Sequence, residues 1–177
     1  YGYVVDDSVA IGYQSGQYST GSYNTFVGFW AGRGGTSSAP YSSGTNNTFL
    51  GYSAGKDFTT GYQNVMVGNY TGDAITTGQN NTAVGYAALS SEDTGTRNTA
   101  IGNEALKDLN YDGAGYNVGV GHRAGYALTT GIYNTLLGSF AGYTLTTGQQ
   151  NTALGYASLY HNVTGNYNTA IGRGAGA

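Results

Sequence analysis

The stretch from Asp108 to Gly113 reads DLNYDG. It matches the opening of a calcium-binding loop: Asp108, Asn110 and Asp112 offer side-chain oxygens at alternate positions, and Gly113 supplies the bend. The Glu that closes such a loop is missing, because its place falls on Gly119. A plain turn uses the same residue types and is the competing account. Other chemistry is thinly spelled. His122 and His161 stand far apart in the chain, and His122 occupies a position held by Tyr in sister segments (Tyr52, Tyr86, Tyr156). Carboxylates are paired at Asp6-Asp7 and Glu92-Asp93, but neighbours in an extended chain point to opposite sides, so neither pair is set for acid–base work. No GxSxG elbow and no GK[ST] phosphate loop occurs. We therefore expect no enzyme, no catalytic residue and no cofactor other than calcium at that loop.

Aromatic residues offer a second kind of site. Gly34 to Ser43, GGTSSAPYSS, is an insertion that holds the only proline, Pro40, beside Tyr41. The single tryptophan, Trp30, lies just before it, next to Phe29. Exposed aromatics beside a protruding loop suit sugar or protein recognition, so Trp30, Tyr41 and Phe29 are the candidate ligand-binding residues. Tyr23, Tyr52, Tyr86, Tyr133 and Tyr156 recur outside the apolar columns and read as a surface belt.

Composition narrows the classes. Only 8% of the 177 residues are charged, against about 25% in an ordinary globular domain. The 24 aromatic residues speak against disorder. The 32 glycines lack the every-third spacing of collagen. A net charge of −3 with six scattered basic residues excludes nucleic acid as the expected partner. No apolar run reaches the roughly 18 residues of a membrane helix, so no membrane insertion is expected.

These residues are positioned by a repeat. TTGQNNTAVGYAAL (76–89) returns almost unchanged as TTGQQNTALGYASL (146–159). Ten units align on Ser8, Asn24, Asn47, Asn64, Asn81, Asn98, Asn117, Asn134, Asn151 and Asn168, with a usual spacing of 17 residues. The period points to a solenoid, one coil per unit. The longer units carry the insertions at 34–43 and around 108–114. Each unit reads as strand, turn, strand, turn, the second strand being the TTG segment. A helix is disfavoured by so much Gly and Thr. Asn in the anchor column ordinarily caps a turn; identical amides stacked about 4.8 Å apart can also hydrogen-bond as a ladder.

Three residues after each anchor stands Ile11, Val27, Leu50, Val67, Val84, Ile101, Val120, Leu137, Leu154 or Ile171, and a Gly follows every one. The residue before it is also mostly apolar. Adjacent strand residues face opposite sides, so both faces of the strand are apolar. One fills the coil and the other needs a partner. We assign the ten invariant aliphatics to the seam between subunits and to the core. Four units with Ala-Gly, or Thr-Gly at Thr71-Gly72, after the turn carry a large apolar residue three positions on (Phe58, Ile75, Leu128, Leu145), whereas Leu89 and Leu159 are followed by Glu92 and Asn162. Two positions thus share one hole, with Leu106 and Leu109 breaking the rule.

DDSVAIGYQSGQYSTG (6–21) resembles the head repeat of trimeric autotransporter adhesins, whose left-handed parallel β-rolls carry an SVAIG inner strand. NTALGYASLYHNVTGNYNTAIG (151–172) resembles more closely still the 17-residue NTAIGYQAL repeats of phage tail-fibre-like and bacterial surface-fibre proteins. The resemblance covers essentially the whole chain. It implies a left-handed homotrimer of β-rolls, extracellular on a cell surface or a virion fibre, with a role in attachment.

The expectation is an all-β chain: one parallel β-roll or β-solenoid domain over 1–177, about ten coils of 17 residues, a segment of a longer fibre. Its function is structural and adhesive, directed at a cell-surface glycan or protein receptor. The alternative is an ice-binding or other surface-matching solenoid, since Thr recurs in two columns, one at Thr60, Thr77, Thr94, Thr130, Thr147 and Thr164. A third reading, an enzyme acting on polysaccharide across subunit seams, lacks an acid–base constellation.

Overall fold

The structure, a computed structural model, describes residues 7–35 and 41–177. Asp6 and Pro40 lie outside them. The chain is all-β: a parallel solenoid in which each coil contributes one short strand. The strands are β1 (Val9–Ile11), β2 (Thr25–Val27), β3 (Thr48–Leu50), β4 (Val65–Val67), β5 (Thr82–Val84), β6 (Thr99–Ile101), β7 (Val118–Val120), β8 (Thr135–Leu137), β9 (Thr152–Leu154) and β10 (Thr169–Ile171). They pair in chain order as one ten-stranded parallel sheet, with equivalent residues in register. We number the coils by their strands.

The expected second strand is absent. The TTG segment forms bends, and outside the sheet the described residues show only two isolated bridges, Ser19 with Ser42 and Thr96 with Ala114. On this side several N–H groups converge on one carbonyl: Thr76 takes those of Thr59 and Gly61, and Asp93 those of Thr76, Thr77 and Gly78. Thr59, Thr76, Thr129 and Thr146 each donate a side-chain bond to a carbonyl of the next coil, so this side is joined by a mixture of side-chain and main-chain bonds rather than by a ladder.

The strand's two apolar columns separate cleanly. The second residue of each strand points inward: Phe26, Phe49, Met66, Ala83, Ala100, Leu136, Ala153 and Ala170 are buried. The third residue, the column from Ile11 to Ile171, points outward and contributes nothing to the chain's own core. The core half of the role expected for that column therefore belongs to its neighbour.

Core volume is shared within each coil. Where the second strand residue is large, the eighth position after the anchor is Gly. A Cβ on Gly32 would stand 2.4 Å from the Phe26 ring, and one on Gly55 would stand 2.5 Å from Phe49. Where the strand carries Ala83, Ala100 or Ala153, the eighth position is Leu89, Leu106 or Leu159, all buried. These leucines keep the glycines' left-handed backbone, at φ 54°, 47° and 50°, which costs about 1–2 kcal/mol each. The side chain offsets that cost by filling the space left by Ala. In coil 7 both positions are Gly, and Leu106 and Leu136 reach in from the coils on either side.

The anchor asparagines form the ladder. From Asn47 to Asn168 each donates its main-chain N–H to the Oδ1 of the Asn one coil earlier, at 2.9–3.1 Å. Most also give Nδ2 to that same oxygen and to a glycine carbonyl of the next coil, as Asn64 does to Asn47 and Gly78. At the start of the stack, Ser8 Oγ takes the accepting role for Asn24 at 3.0 Å. One rung is incomplete. Coil 6 is longer by two residues, and Asn98, 1% exposed, has no partner for Nδ2.

The ladder predicts an order of stability losses. Asn64→Ala orphans the Asn81 N–H and the Gly78 carbonyl and should cost about 2–4 kcal/mol, at roughly 1–3 per buried group left unpaired. Asn98→Ala should cost less, since one of its donors has no bond to lose. Urea melts of the two variants check the order.

Candidate functional site

Each coil turns out of its strand at a Gly, and in most coils an aromatic residue at the fifth or sixth position after the anchor then faces outward. In coils 1–5 these are Tyr13, Phe29 with Trp30, Tyr52, Tyr70 and Tyr86, which touch in sequence. Tyr13 stacks on Phe29 at 5.0 Å between centroids, and Phe29 on Tyr52 at 5.4 Å with 13° between planes. Tyr70 meets Tyr52 and Tyr86 edge-on at 5.1 and 6.0 Å. Trp30 leans on Phe29 at 4.8 Å and donates its indole N–H to Gln14 Oε1 at 2.6 Å, while the Arg33 guanidinium lies 5.1 Å from its ring. The result is a continuous aromatic strip along five coils, open to solvent.

Phe29 and Trp30, read from the sequence as a candidate pair, are therefore part of a larger surface. Tyr41 is half-buried beside the point where the insertion rejoins the stack through Ser42, whose Oγ donates to the Phe58 carbonyl at 2.8 Å. The anticipated tyrosine belt divides. Tyr52, Tyr86 and Tyr156 lie in the fifth-position column. Tyr23 and Tyr133 precede their anchors, and Tyr133 stacks with Tyr116 at 5.3 Å. The strip's continuity escaped notice because it alternates between two offsets, five at Tyr52 and six at Tyr70. Aligning both columns together would have exposed it.

Coils 7–9 carry a second aromatic group in which Tyr126, Tyr143 and Tyr160 stack at 5.4 and 5.1 Å and Phe140 packs edge-on to Tyr143. His122 sits edge-on to Phe140 and His161 to Tyr160. Between the two groups the same face is charged: Glu104 accepts from Arg123 at 2.6 Å and lies 3.4 Å from Lys107. These cations hold the Glu104 carboxyl below its ordinary range, the Arg123 hydrogen bond being the main cause.

The 108–114 loop is fixed by the coils around it. Asp112 Oδ1 accepts from the Thr94 hydroxyl at 2.6 Å, and the main-chain N–H groups of Asp108 and Asn110 bond to coil 7 at Tyr126 and Thr129. Among the described residues no three His, Cys, Asp or Glu side chains are grouped to hold a metal. Beneath the loop lies Glu92, fully buried, with Oε1 accepting from Gly95 N–H at 2.7 Å and Oε2 from Tyr111 N–H at 3.4 Å. Burial raises its pKa to about 7, against the pull of those two donors. The carboxyl is closed off from solvent and held by main-chain donors, as a part of the core. A concavity of about 580 Å³ between Leu159 and Ala177 is the open end of the stack beyond β10.

No family model, no curated protein and no solved structure matches the chain. The site must be interpreted from its own geometry.

Glu92 yields a pH prediction. Its folded pKa exceeds the unfolded value, so the native state holds the extra proton. Its contribution is fully present below about pH 4.5 and is lost as pH rises to about 7. Asp73, also raised by burial, acts in the same sense. Thermal melts should show lower stability at pH 8 than at pH 5, by up to roughly 3 kcal/mol. Glu92→Gln, which never ionises, should flatten that slope.

Proposed function

We propose that the chain is a structural and adhesive fibre segment, a left-handed roll that assembles as a homotrimer and attaches to a cell-surface glycan or protein receptor from an extracellular surface or virion fibre. The outer face of the sheet carries the proposal. Its third-residue column runs unbroken through ten coils, with Ile11 60%, Leu50 45%, Leu137 42% and Ile171 67% exposed. At about 4.8 Å per strand the stripe is roughly 43 Å long. Soluble monomers rarely leave such a stripe bare, and a rotational axis would let three identical stripes cover one another. The aromatic strip lies on a different column and stays available for attachment.

One observation favours the second reading, a surface-matching solenoid such as an ice binder. The first strand residues place Thr25 beside Thr48, Thr82 beside Thr99, and Thr135, Thr152 and Thr169 in one register. Val65 and Val118 interrupt that rank. Both readings claim the same face, so assembly decides between them.

Light scattering over a wide concentration range should give a mass near three times 18.2 kDa. The double variant Val84→Lys, Leu137→Lys places charges in the seam and should shift the mass toward the monomer while leaving the coil folded. A monomer at every concentration would remove the fibre reading and make thermal hysteresis the next assay.

A further inference from the structure

We infer that neighbouring copies of the chain lie parallel and in register, the residue before each anchor meeting the fifth and sixth positions of the same coil in the next copy. The first of these is the entry corner of the coil, and the second is its exit corner. The inference rests on the fibre reading above and adds to it the direction, register and edges of the seam.

The two corners stand at opposite edges of the strand face, with the whole strand between them. Their residue types nonetheless go together, coil by coil. Asn46, Gln63, Asn80 and Gln150 put an amide at the entry corner, and each shares its coil with an exit-corner Tyr, as Gln63 does with Tyr70 and Gln150 with Tyr156. Where the entry corner is Tyr, the exit corner never is. Tyr23 goes with Phe29 and Trp30, Tyr116 with His122 and Arg123. Tyr133 goes with Phe140, and Tyr167 with Arg173. Arg97, the one cation of the entry column, goes with Glu104, the one carboxylate of the exit column. Amides suit phenol hydroxyls, Tyr rings suit other rings and cations, and Arg suits Glu. Contacts within one chain do not account for this matching. Among the described residues, ring and ion-pair contacts run along a corner, as Tyr116 on Tyr133, Arg97 over Tyr116 and Arg123 on Glu104. None crosses the strand face from one corner to the other.

The backbone of the entry corner points the same way. All ten of its residues are exposed and left-handed, with φ from 50° at Tyr116 to 62° at Arg97. Glycine takes that conformation most readily, yet none stands there. Side chains kept on strained backbone in solvent answer to something outside the chain. A second copy supplies it. Rotation about an axis along the stack holds every coil at its own level and turns one copy's entry edge to its neighbour's exit edge. Antiparallel copies set entry against entry, and coil 6 against coil 5. The aliphatic stripe is alike at every level and cannot fix register; the corners differ from coil to coil and can. Among the described residues Arg97 makes no ion pair in its own chain. Glu104 is engaged by Arg123 and Lys107, and a carboxylate has lone pairs for a third donor. Over coils 3–5 the tyrosines reach the amides through their hydroxyls, so the ring faces of the strip stay outside the seam.

The chain has no cysteine, so introduced thiols are unambiguous. In two double variants, Arg97→Cys with Glu104→Cys and Tyr133→Cys with Ser139→Cys, a short bis-maleimide should link the copies into covalent trimers. Linking should be at least about tenfold faster than in Tyr23→Cys with Ser139→Cys, whose sites lie six coils, about 29 Å, apart. Arg97→Cys alone should give no covalent dimer. The coil 8 pair leaves the charged group intact, so it decides the outcome if the coil 6 variant does not assemble. Light scattering on the unlinked samples separates this inference from the fibre reading. An assembled sample in which neither matched pair links, or in which the offset pair links as fast, overturns the register and leaves the fibre. Linking by Arg97→Cys alone means entry against entry, and overturns it too. A monomer at every concentration removes the fibre reading and this inference with it.

Discussion

A primary amide has one acceptor oxygen and two N–H donors, and from Asn24 to Asn151 the anchor column withdraws them almost wholly from water. Such a group is costly unless it is paired. No single coil can pair it, because the partners are the N–H of the next Asn, the oxygen of the previous one, and a glycine carbonyl one coil on. The stack is what meets the demand, and each added coil completes the coil before it. This sets the register of the whole sheet. A coil shifted by one residue would leave a buried amide unpaired and turn every strand residue to the opposite face. Glycine becomes obligatory beside the ladder for the same reason: a Cβ on Gly61 would stand 2.5 Å from the Gly78 carbonyl that the ladder uses.

With spacing settled, volume is the remaining constraint. The interior admits few side chains per coil, and they trade size among three positions. Phe49, Gly55 and Phe58 make one solution; Ala100, Leu106 and Leu109 make another. In coil 5, Ala83 and Leu89 leave the third place to Glu92, whose carboxyl is held by backbone donors instead of by packing. A titratable group thereby enters the core without an ion pair. Close packing tolerates these exchanges because adjacent coils compensate, as Leu106 and Leu136 do around the two glycines of coil 7.

Much of this was legible in the sequence. The anchor and glycine columns recur at one spacing, so the number of coils and the positions of the strands could be read directly. The exchange between the eighth and eleventh positions was visible too. Its third member was not, because Phe26 and Gly32 meet across a turn and their link appears only when the coil is closed. Both apolar strand columns were seen, yet alternation alone cannot say which is inside. Burial decides that Phe26 faces in and Val27 out. The second strand failed to form because main-chain N–H groups converge on one carbonyl of the next coil, as at Thr76 and Asp93, a bend that strand propensity does not register. Of the candidate sites, Phe29 and Trp30 were found by rarity, while their continuation to Tyr86 lay hidden in two interleaved offsets.

The outer strand face is aliphatic in its third-residue column from coil 1 to coil 10, with Thr beside it in seven coils and Val in three. The corner beyond it varies from coil to coil: aromatic over five coils, charged at coil 6, aromatic again to coil 9. Uniformity suits a contact between identical copies, since a symmetric seam needs the same side chain at every level. Variation suits recognition, because only there can one part of a fibre differ from another. The ladder makes no demand on those corner positions, although the sixth keeps a left-handed backbone, as at Trp30 and Tyr70. A repeat that is rigid in its Asn and Gly columns can therefore change its surface without disturbing its fold. Any attachment function of this chain has room to develop on the corner, through many weak contacts acting together rather than one deep pocket.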